Sequence, residues 1–291
     1  DNFSGTYSRI FPMAGLLFHT PMVNKKYDIY INPKLFFVFN SRQSNSNKIS
    51  NEDSSDYKYS LLNFDTLNRY TGSDKLDNSR RMSYGIDIYK NKFKLTLGQS
   101  YELEVDDNEF SRNVGLKDYM SDILGESSYT GINNEIKYDF RFNVDQGKYN
   151  YQRIGYTNKN STGTIGMTYS ETKKEVNSFL ETGSKILSLG YSSYPILKYS
   201  TVNLGATFDL LADDPTAYNF GYNFYDECFG VNLNFARSFY DDRDLKPKDT
   251  LTLMFSFKYL GSYQSTNLAV SEEGKQDIKW KYNEVGPESF Y

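Results

Sequence analysis

Strict apolar–polar alternation, sustained over segments of ten or more residues, constrains this chain more than any other feature. Between residues 132 and 144, Ile136, Tyr138, Phe140, Phe142 and Val144 fall on one face of an extended chain, while Lys137, Asp139, Arg141 and Asn143 fall on the other. Successive side chains of a strand point to opposite faces, so a period of two specifies a sheet with one oily side and one wet side. The same pattern sets Phe93, Leu95, Leu97, Tyr101 and Leu103 against Lys94, Thr96, Ser100, Glu102 and Glu104. It sets Val202, Leu204, Ala206, Phe208 and Leu210 against Asn203, Gly205, Thr207 and Asp209. Phe229, Val231, Leu233 and Phe235 oppose Asn232, Asn234 and Ser238, and Leu251, Leu253, Phe255, Phe257 and Tyr259 oppose Thr252, Ser256 and Lys258.

Strands of soluble proteins run about five or six residues, whereas a tilted strand needs about 9–11 to cross a bilayer. A β-sandwich also alternates, but it gives no reason for ionisable residues in the middle of so many long strands. A water-filled lumen does, because charge there stays solvated, whereas on the lipid side it costs roughly 2–4 kcal/mol near the midplane. A closed barrel also satisfies its own backbone hydrogen bonds without water. The expected fold is therefore all-β, a transmembrane antiparallel β-barrel. Composition agrees: 27 Tyr and 21 Phe among 291 residues, with a mean hydropathy of −0.66, exclude a disordered chain and suit strands with one face in lipid and one in water. No apolar run approaches the roughly 18 residues of a membrane-spanning helix. A net charge of −4 and the lack of a Lys/Arg block argue against nucleic acid as a partner.

About thirteen segments read as strands: 7–19, 27–42, 82–90, 92–104, 119–128, 132–144, 148–157, 162–171, 185–194, 199–211, 217–225, 229–240 and 250–260. If the C-terminal tail is periplasmic, short turns at Asn24-Lys25, Asn91, Thr130-Gly131, 158–161, 195–198 and 226–228 share one side. The connections 43–81, 105–118, 172–184, 212–216 and 241–249 share the other and are mostly longer, Gly147 marking the one tight turn among them. This is the asymmetry of outer-membrane barrels, whose bacterial single-chain members have even strand numbers. The odd count and the start at Asp1 are read as a barrel that continues upstream. Residues 1–263 are expected to form barrel wall and 264–291 a polar periplasmic tail.

Few residues suggest chemistry. His19 lies between Phe18 and Thr20-Pro21 with nothing local to make it a general base. No Gly-rich phosphate loop, Cys/His metal spacing or nucleophile elbow is present, so no catalytic residue, cofactor or metal site is expected. The acidic groups Asp106, Asp107, Glu109 and Asp241, Asp242, Asp244 lack EF-hand spacing and read as solvated loops. The stretch 57–81 mixes Leu61, Leu62, Phe64 and Leu67 with charge and is either a plug folded into the lumen or a mobile surface loop. Cys228, the one cysteine, falls in a turn read as periplasmic; it is either half of a bond to a cysteine outside this sequence or a small buried hydrophobe.

Several landmarks occur in one order: residues 9–16 (RIFPMAGL), Ile31-Asn32-Pro33, 51–54 (NEDS), 67–74 (LNRYTGSD) and 121–125 (SDILG). They are followed by 225–229 (YDECF), 241–247 (DDRDLKP) and Leu260-Gly261. This order resembles the LptD family of lipopolysaccharide-assembly outer-membrane proteins, in its alphaproteobacterial form and over its C-terminal barrel portion. The resemblance implies a conduit, not an enzyme, that receives lipopolysaccharide from a periplasmic LptA-like bridge through an N-terminal jellyroll and releases it into the outer leaflet. It implies a lipoprotein plug (LptE-like) inside the barrel and a lumen lined here by Lys137, Asp139, Arg141, Asn203, Asp209, Asn232 and Asn234. It makes 250–260, with Leu251, Leu253, Phe255, Phe257 and Tyr259, the last strand and one side of a lateral gate. Cys228 matches a family cysteine bonded to one near the jellyroll, with Phe229 standing where some relatives carry a second cysteine. A general diffusion porin is the alternative, and a lipid-acting barrel enzyme using His19 a more distant one.

Overall fold

A computed structural model describes residues 8–41, 43–54, 59–104, 115–116, 118–173, 183–196, 198–239, 248–265, 268–269 and 280–283. Among them every regular element is a strand: β1 (Met13–His19), β2 (Met22–Asn24), β3 (Ile29–Asn40), β4 (Arg81–Lys90), β5 (Phe93–Glu102), β6 (Ile123–Thr130), β7 (Asn134–Asn143), β8 (Lys148–Lys159) and β9 (Gly163–Thr172), then β10 (Ser184–Ser193), β11 (Ser200–Asp209), β12 (Asp214–Tyr225), β13 (Phe229–Ser238), β14 (Lys248–Phe257), β15 (Gly261–Ser265), β16 (Leu268–Ala269) and β17 (Trp280–Asn283). Each long alternating segment of the sequence has its counterpart in β1 or β3–β14, and the ladders β1–β3, β3 to β6 and β10 to β14 are antiparallel between near neighbours in sequence. The acidic groups at 106–109 and 241–244 and the landmark 241–247 lie outside the described residues.

The chain forms two compact units, with the boundary running through β7, β8 and β9. In the first, β1 and β2 pair with one edge of β3, so they are one strand interrupted at Thr20-Pro21 opposite Pro33. Proline cannot donate to a ladder, which accounts for the break. β3, β4, β5 and β6 follow as a meander. The two-residue turn Asn91-Lys92 places Asn91 at φ 51°, the left-handed conformation that hairpin turns of this length need. In the second unit β10 to β14 continue as a meander, in unbroken register except for one shift between β11 and β12. β12 starts at Asp214, earlier than the sequence predicts, because a bulge between Thr207 and Phe208 lets β12 carry one extra residue, Thr216.

The C-terminal end departs from expectation. The strand predicted over 250–260 ends at Phe257; Tyr259 lies in a tight turn at φ 67° and is 85% exposed. Gly261 then opens β15, which pairs with β14 over Met254–Phe257, while β16 pairs with Thr250 and Leu251. β17 in turn pairs with β15, so the stretch expected as a polar tail contributes strands to the sheet. β14 therefore has neighbours on both sides and is not the outermost strand, as the gate assignment required. The alternation Phe255, Phe257, Tyr259 runs through the reversal without marking it, since period two says which face a residue takes and not where the chain turns.

Candidate functional site

In the first unit the described part of the long connection, 43–54 and 59–80, folds back onto one face of β3–β6. Its aromatic residues Tyr59, Phe64 and Tyr70 are buried with Leu116 and Leu124, Leu61 packing alongside. The ring of Phe64 lies over Gly85 and Gly98, where a β-carbon would come within 3.1 Å of it; the absence of side chains on adjacent strands makes its seat. The Tyr59 hydroxyl is 2.7 Å from Ser100 Oγ, which in turn is 2.7 Å from Ser83 Oγ. The rest of the connection is tied to itself. Asp53 accepts the backbone N–H groups of Ser73 and Asp74, and Asp74 accepts those of Glu52 and Asp53. Gly72 between them sits at φ 78°, and a β-carbon there would meet the Asp53 carbonyl at 2.4 Å. Arg9 donates to the carbonyls of Ser73 and Asp74.

Beneath this connection lies a buried charge network. Arg69 donates through Nε to Asp77 at 2.7 Å and through Nη1 to Glu102 at 2.7 Å, and Arg81 pairs with Asp77 at 2.8 Å; all four side chains are fully buried. Arg81 also donates to the Thr66 carbonyl, and Arg69 to Ser79 Oγ. Burial alone would push the Asp77 carboxyl up, but the guanidiniums of Arg69 and then Arg81 outweigh it and hold it down at about 2. Charges so placed persist only because each has an opposite partner within hydrogen-bond reach.

Further along the same unit, Asp122 collects β6, β7 and β8. It pairs with Arg141 at 3.1 Å and accepts the side-chain amides of Asn143 and Asn150 at 2.9 Å each. Asp139 pairs with Arg153 at 2.6 Å, and Lys137 is exposed. Asp139, Arg141 and Arg153, with Tyr59, Leu61, Leu124 and Phe140, line a concavity of about 620 Å³.

In the second unit the two faces separate cleanly. Tyr191, Leu204, Phe220, Phe235 and Leu251 stand in register across five strands on one face. On the other, Ser192, Asn203, Gly221, Asn234 and Thr252 form the parallel polar row. Asn203, Asn219, Asn223, Asn232, Asn234, Thr252 and Gln264 surround a concavity of about 320 Å³ over Gly221. Of the residues expected on the polar face, Asn203, Asn232 and Asn234 are brought together here. Asp209 instead caps the β11–β12 turn, accepting the N–H groups of Leu211 and Ala212. Leu251, Leu253, Phe255 and Phe257 do lie on the apolar face, where Phe229 stacks with Phe255 and meets Phe257 at a tilt, and Phe257 meets Tyr263 edge-on. Cys228 is exposed and free in the turn 226–228, its N–H held by Asp226. As the one cysteine of the sequence it forms no disulfide within this chain. His19 is exposed on β1 opposite Lys34.

Residues 2–209 match the model of the family LptD, LPS transport system D. The chain belongs to the LptD family. It is therefore a lipopolysaccharide transporter integral to the outer membrane, not an enzyme. The match ends before Cys228, so the cysteine and the landmarks after it lie beyond the matched span. No curated protein matches the chain. Among solved structures, a triple mutant and a double mutant of the Rhodopseudomonas blastica porin are similar to it, at 8% and 9% identity and a TM-score of 0.41. Each comparison covers 88% of this chain and 84% of the porin.

Within this LptD chain, the residues that sequence patterning missed are Arg69, Asp77, Arg81 and Glu102 as a group. The signal available for them was the apolar content of 57–81, which predicts burial for part of the connection but not which charges accompany it. Asn219 and Asn223 lie two residues to either side of Gly221, the register partner of both Asn203 and Asn234, so parity puts them on the same face once β12 is placed; Gln264 follows through Met254, which stands opposite Asn232.

Proposed function

We propose that this chain is a wall segment of a closed barrel whose polar face lines the lumen, through which the saccharide part of lipopolysaccharide passes beside a lipoprotein plug. One observation carries the reading: in a member of the LptD family, long strands separate an unbroken apolar row from a row of amides and paired charges. The apolar rows suit lipid contact, and the polar face stays wet. Residues 43–80 act as a built-in partial plug over β3–β6. Acyl chains would leave sideways at a seam on the C-terminal edge. The short β14–β15 ladder over Met254–Phe257 supports placing that seam beyond β14, because β13–β14 pair over Phe229–Ser238 in full. Lipopolysaccharide would arrive from an LptA-like periplasmic bridge, a separate partner.

Depleting the full-length protein in cells tests the transport reading. New lipopolysaccharide is expected to stop reaching the outer leaflet, as measured by surface labelling. Continued arrival, with loss of small-solute uptake instead, would favour a diffusion porin. The lipid-facing assignment has its own check. Leu204→Arg is expected to cost roughly 2–4 kcal/mol of stability in vesicles, whereas Asn203→Arg, one residue away on the wet face, is tolerated. Equal costs for the two would mean that the faces are assigned wrongly.

A further inference from the structure

We propose that the amide-lined concavity over Gly221 is a contact site for uncharged saccharide, the neutral sugar units of the transported lipid and not its phosphate or acyl parts. The inference rests on the lumen reading above and names which part of the cargo touches this surface. Its lining is Asn203, Asn219, Asn223, Asn232, Asn234, Thr252 and Gln264, with no ionisable side chain among them. A site for phosphate would offer arginine or lysine, and one for acyl chains would offer apolar side chains. A side-chain amide carries two donors and an acceptor with two lone pairs, which matches a sugar hydroxyl's ability both to donate and to accept.

Two of these amides are uncommitted. Among the described residues, the side-chain amide of neither Asn219 nor Asn234 makes a hydrogen bond to another group, and both residues are exposed on the polar face. The others are positioned without being exhausted: Asn203 accepts Ser192 Oγ at 2.7 Å, and Asn232 donates to Asn223. Asn219 lies directly over Gly205, where a β-carbon would strike its Oδ1 at 2.0 Å, and Gly221 leaves the floor open between Asn203 and Asn234. Two glycines in register with asparagines thus create the concavity by omission. The lining comes from five adjacent strands, amides from β11, β12, β13 and β15 and the Thr252 hydroxyl from β14, so at about 4.8 Å per strand the surface spans roughly 19 Å. A row of weak, equivalent, neutral contacts holds a chain of hydroxyls without trapping it, the condition that a conduit must satisfy for its cargo to leave.

The test uses the full-length protein in its native outer membrane, with photoreactive benzoylphenylalanine replacing Asn219 in one strain and Lys137 in another. Each is illuminated in cells making lipopolysaccharide with a long neutral saccharide and in cells making a form truncated to its acidic inner sugars. The expected result is a lipopolysaccharide adduct at 219 that falls about tenfold with the truncated form, the weight of one or two lost hydrogen bonds, while the adduct at 137 persists with both. Gly221→Leu should lower the adduct at 219 similarly without unfolding the sheet. Its β-carbon meets its nearest neighbours at 3.6–3.9 Å, ordinary contact, and heat-modifiable gel mobility checks the fold. Equal adducts at 219 with both forms, or a protein adduct there in place of lipopolysaccharide, would overturn the saccharide site and leave the transport reading standing. Lipopolysaccharide adducts at neither position would overturn the lumen reading together with the site.

Discussion

Asp77→Ala is expected to release the 43–80 connection from the sheet while leaving the sheet itself folded. Asp77 is the one carboxylate shared by Arg69 and Arg81, at 2.7 and 2.8 Å, and its other oxygen accepts the N–H of Ser79. Without it, two buried guanidiniums would face the single carboxylate of Glu102, whose Oε2 already has no hydrogen-bond partner among the described residues. Removing one partner of a buried ion pair costs about 3–5 kcal/mol, because the remaining charge is left uncompensated. That is comparable to the roughly 3–6 kcal/mol that burying Tyr59 and Phe64 together supplies, at about 1.5–3 kcal/mol per large apolar side chain, so most of what seats the connection is cancelled. The measurement is protease cleavage within 60–76 in vesicles: new cuts are expected in the variant and none in the parent. Asp77→Ala combined with Arg81→Met removes the surplus charge and should recover much of the protection. If the single variant is as resistant as the parent, the network does not hold the connection down.

The same carboxylate sets a pH dependence. Its folded pKa of about 2 lies below the ordinary 3.8, so the stabilisation it brings is complete above about pH 4 and is lost as pH falls from there towards 2. Protease protection of 60–76 should therefore survive at pH 5 and fail only near pH 2–3. Release at pH 5–6 would point to a different titrating group.

How much of this was legible in the sequence follows from what alternation encodes. It assigned faces correctly through β5, β11 and β13, because each residue's side follows from parity alone once a strand exists. It anticipated the turn at Asn91 because asparagine tolerates positive φ and sits between two alternating runs. It gave two readings of 57–81, since Leu61 and Phe64 announce burial without a period to say against what. The answer depends on Gly85 and Gly98 lying side by side on β4 and β5, a register fact. Arg69 meets Glu102 across 33 positions of sequence, and no local pattern marks such a pair. At the C-terminal end, Gly261 to Ser265 holds a single large aromatic residue, Tyr263, too weak an alternation to separate a short edge strand from a polar tail.

Asp122→Ala is expected to be the more damaging replacement for folding itself, because its partners sit on strands and not on a connection. Asp122 immediately precedes β6 and reaches Arg141 and Asn143 of β7 and Asn150 of β8. The Arg141 and Asp122 side chains are only 5% and 2% exposed, so the variant would take its Asp122 counter-charge from a buried guanidinium and leave two amide groups without that acceptor. The lost ion pair costs about 3–5 kcal/mol and the unsatisfied amide of the buried Asn150 about 1–3 more, the half-buried Asn143 losing less. A total of that order is comparable to the whole net stability of many proteins, about 5–15 kcal/mol. The expected outcome is a sharp fall in folded protein in the outer membrane, read as loss of heat-modifiable mobility and of surface-delivered lipopolysaccharide together. Asp122→Asn keeps an acceptor for the amides but not the charge, and should fall between parent and alanine variant. Asp122→Ala paired with Arg141→Met should regain folded protein, since the broken ion pair is the larger part of the cost. If the pair folds no better than Asp122→Ala alone, the amide contacts to Asn143 and Asn150, and not the ion pair, hold β6, β7 and β8 together.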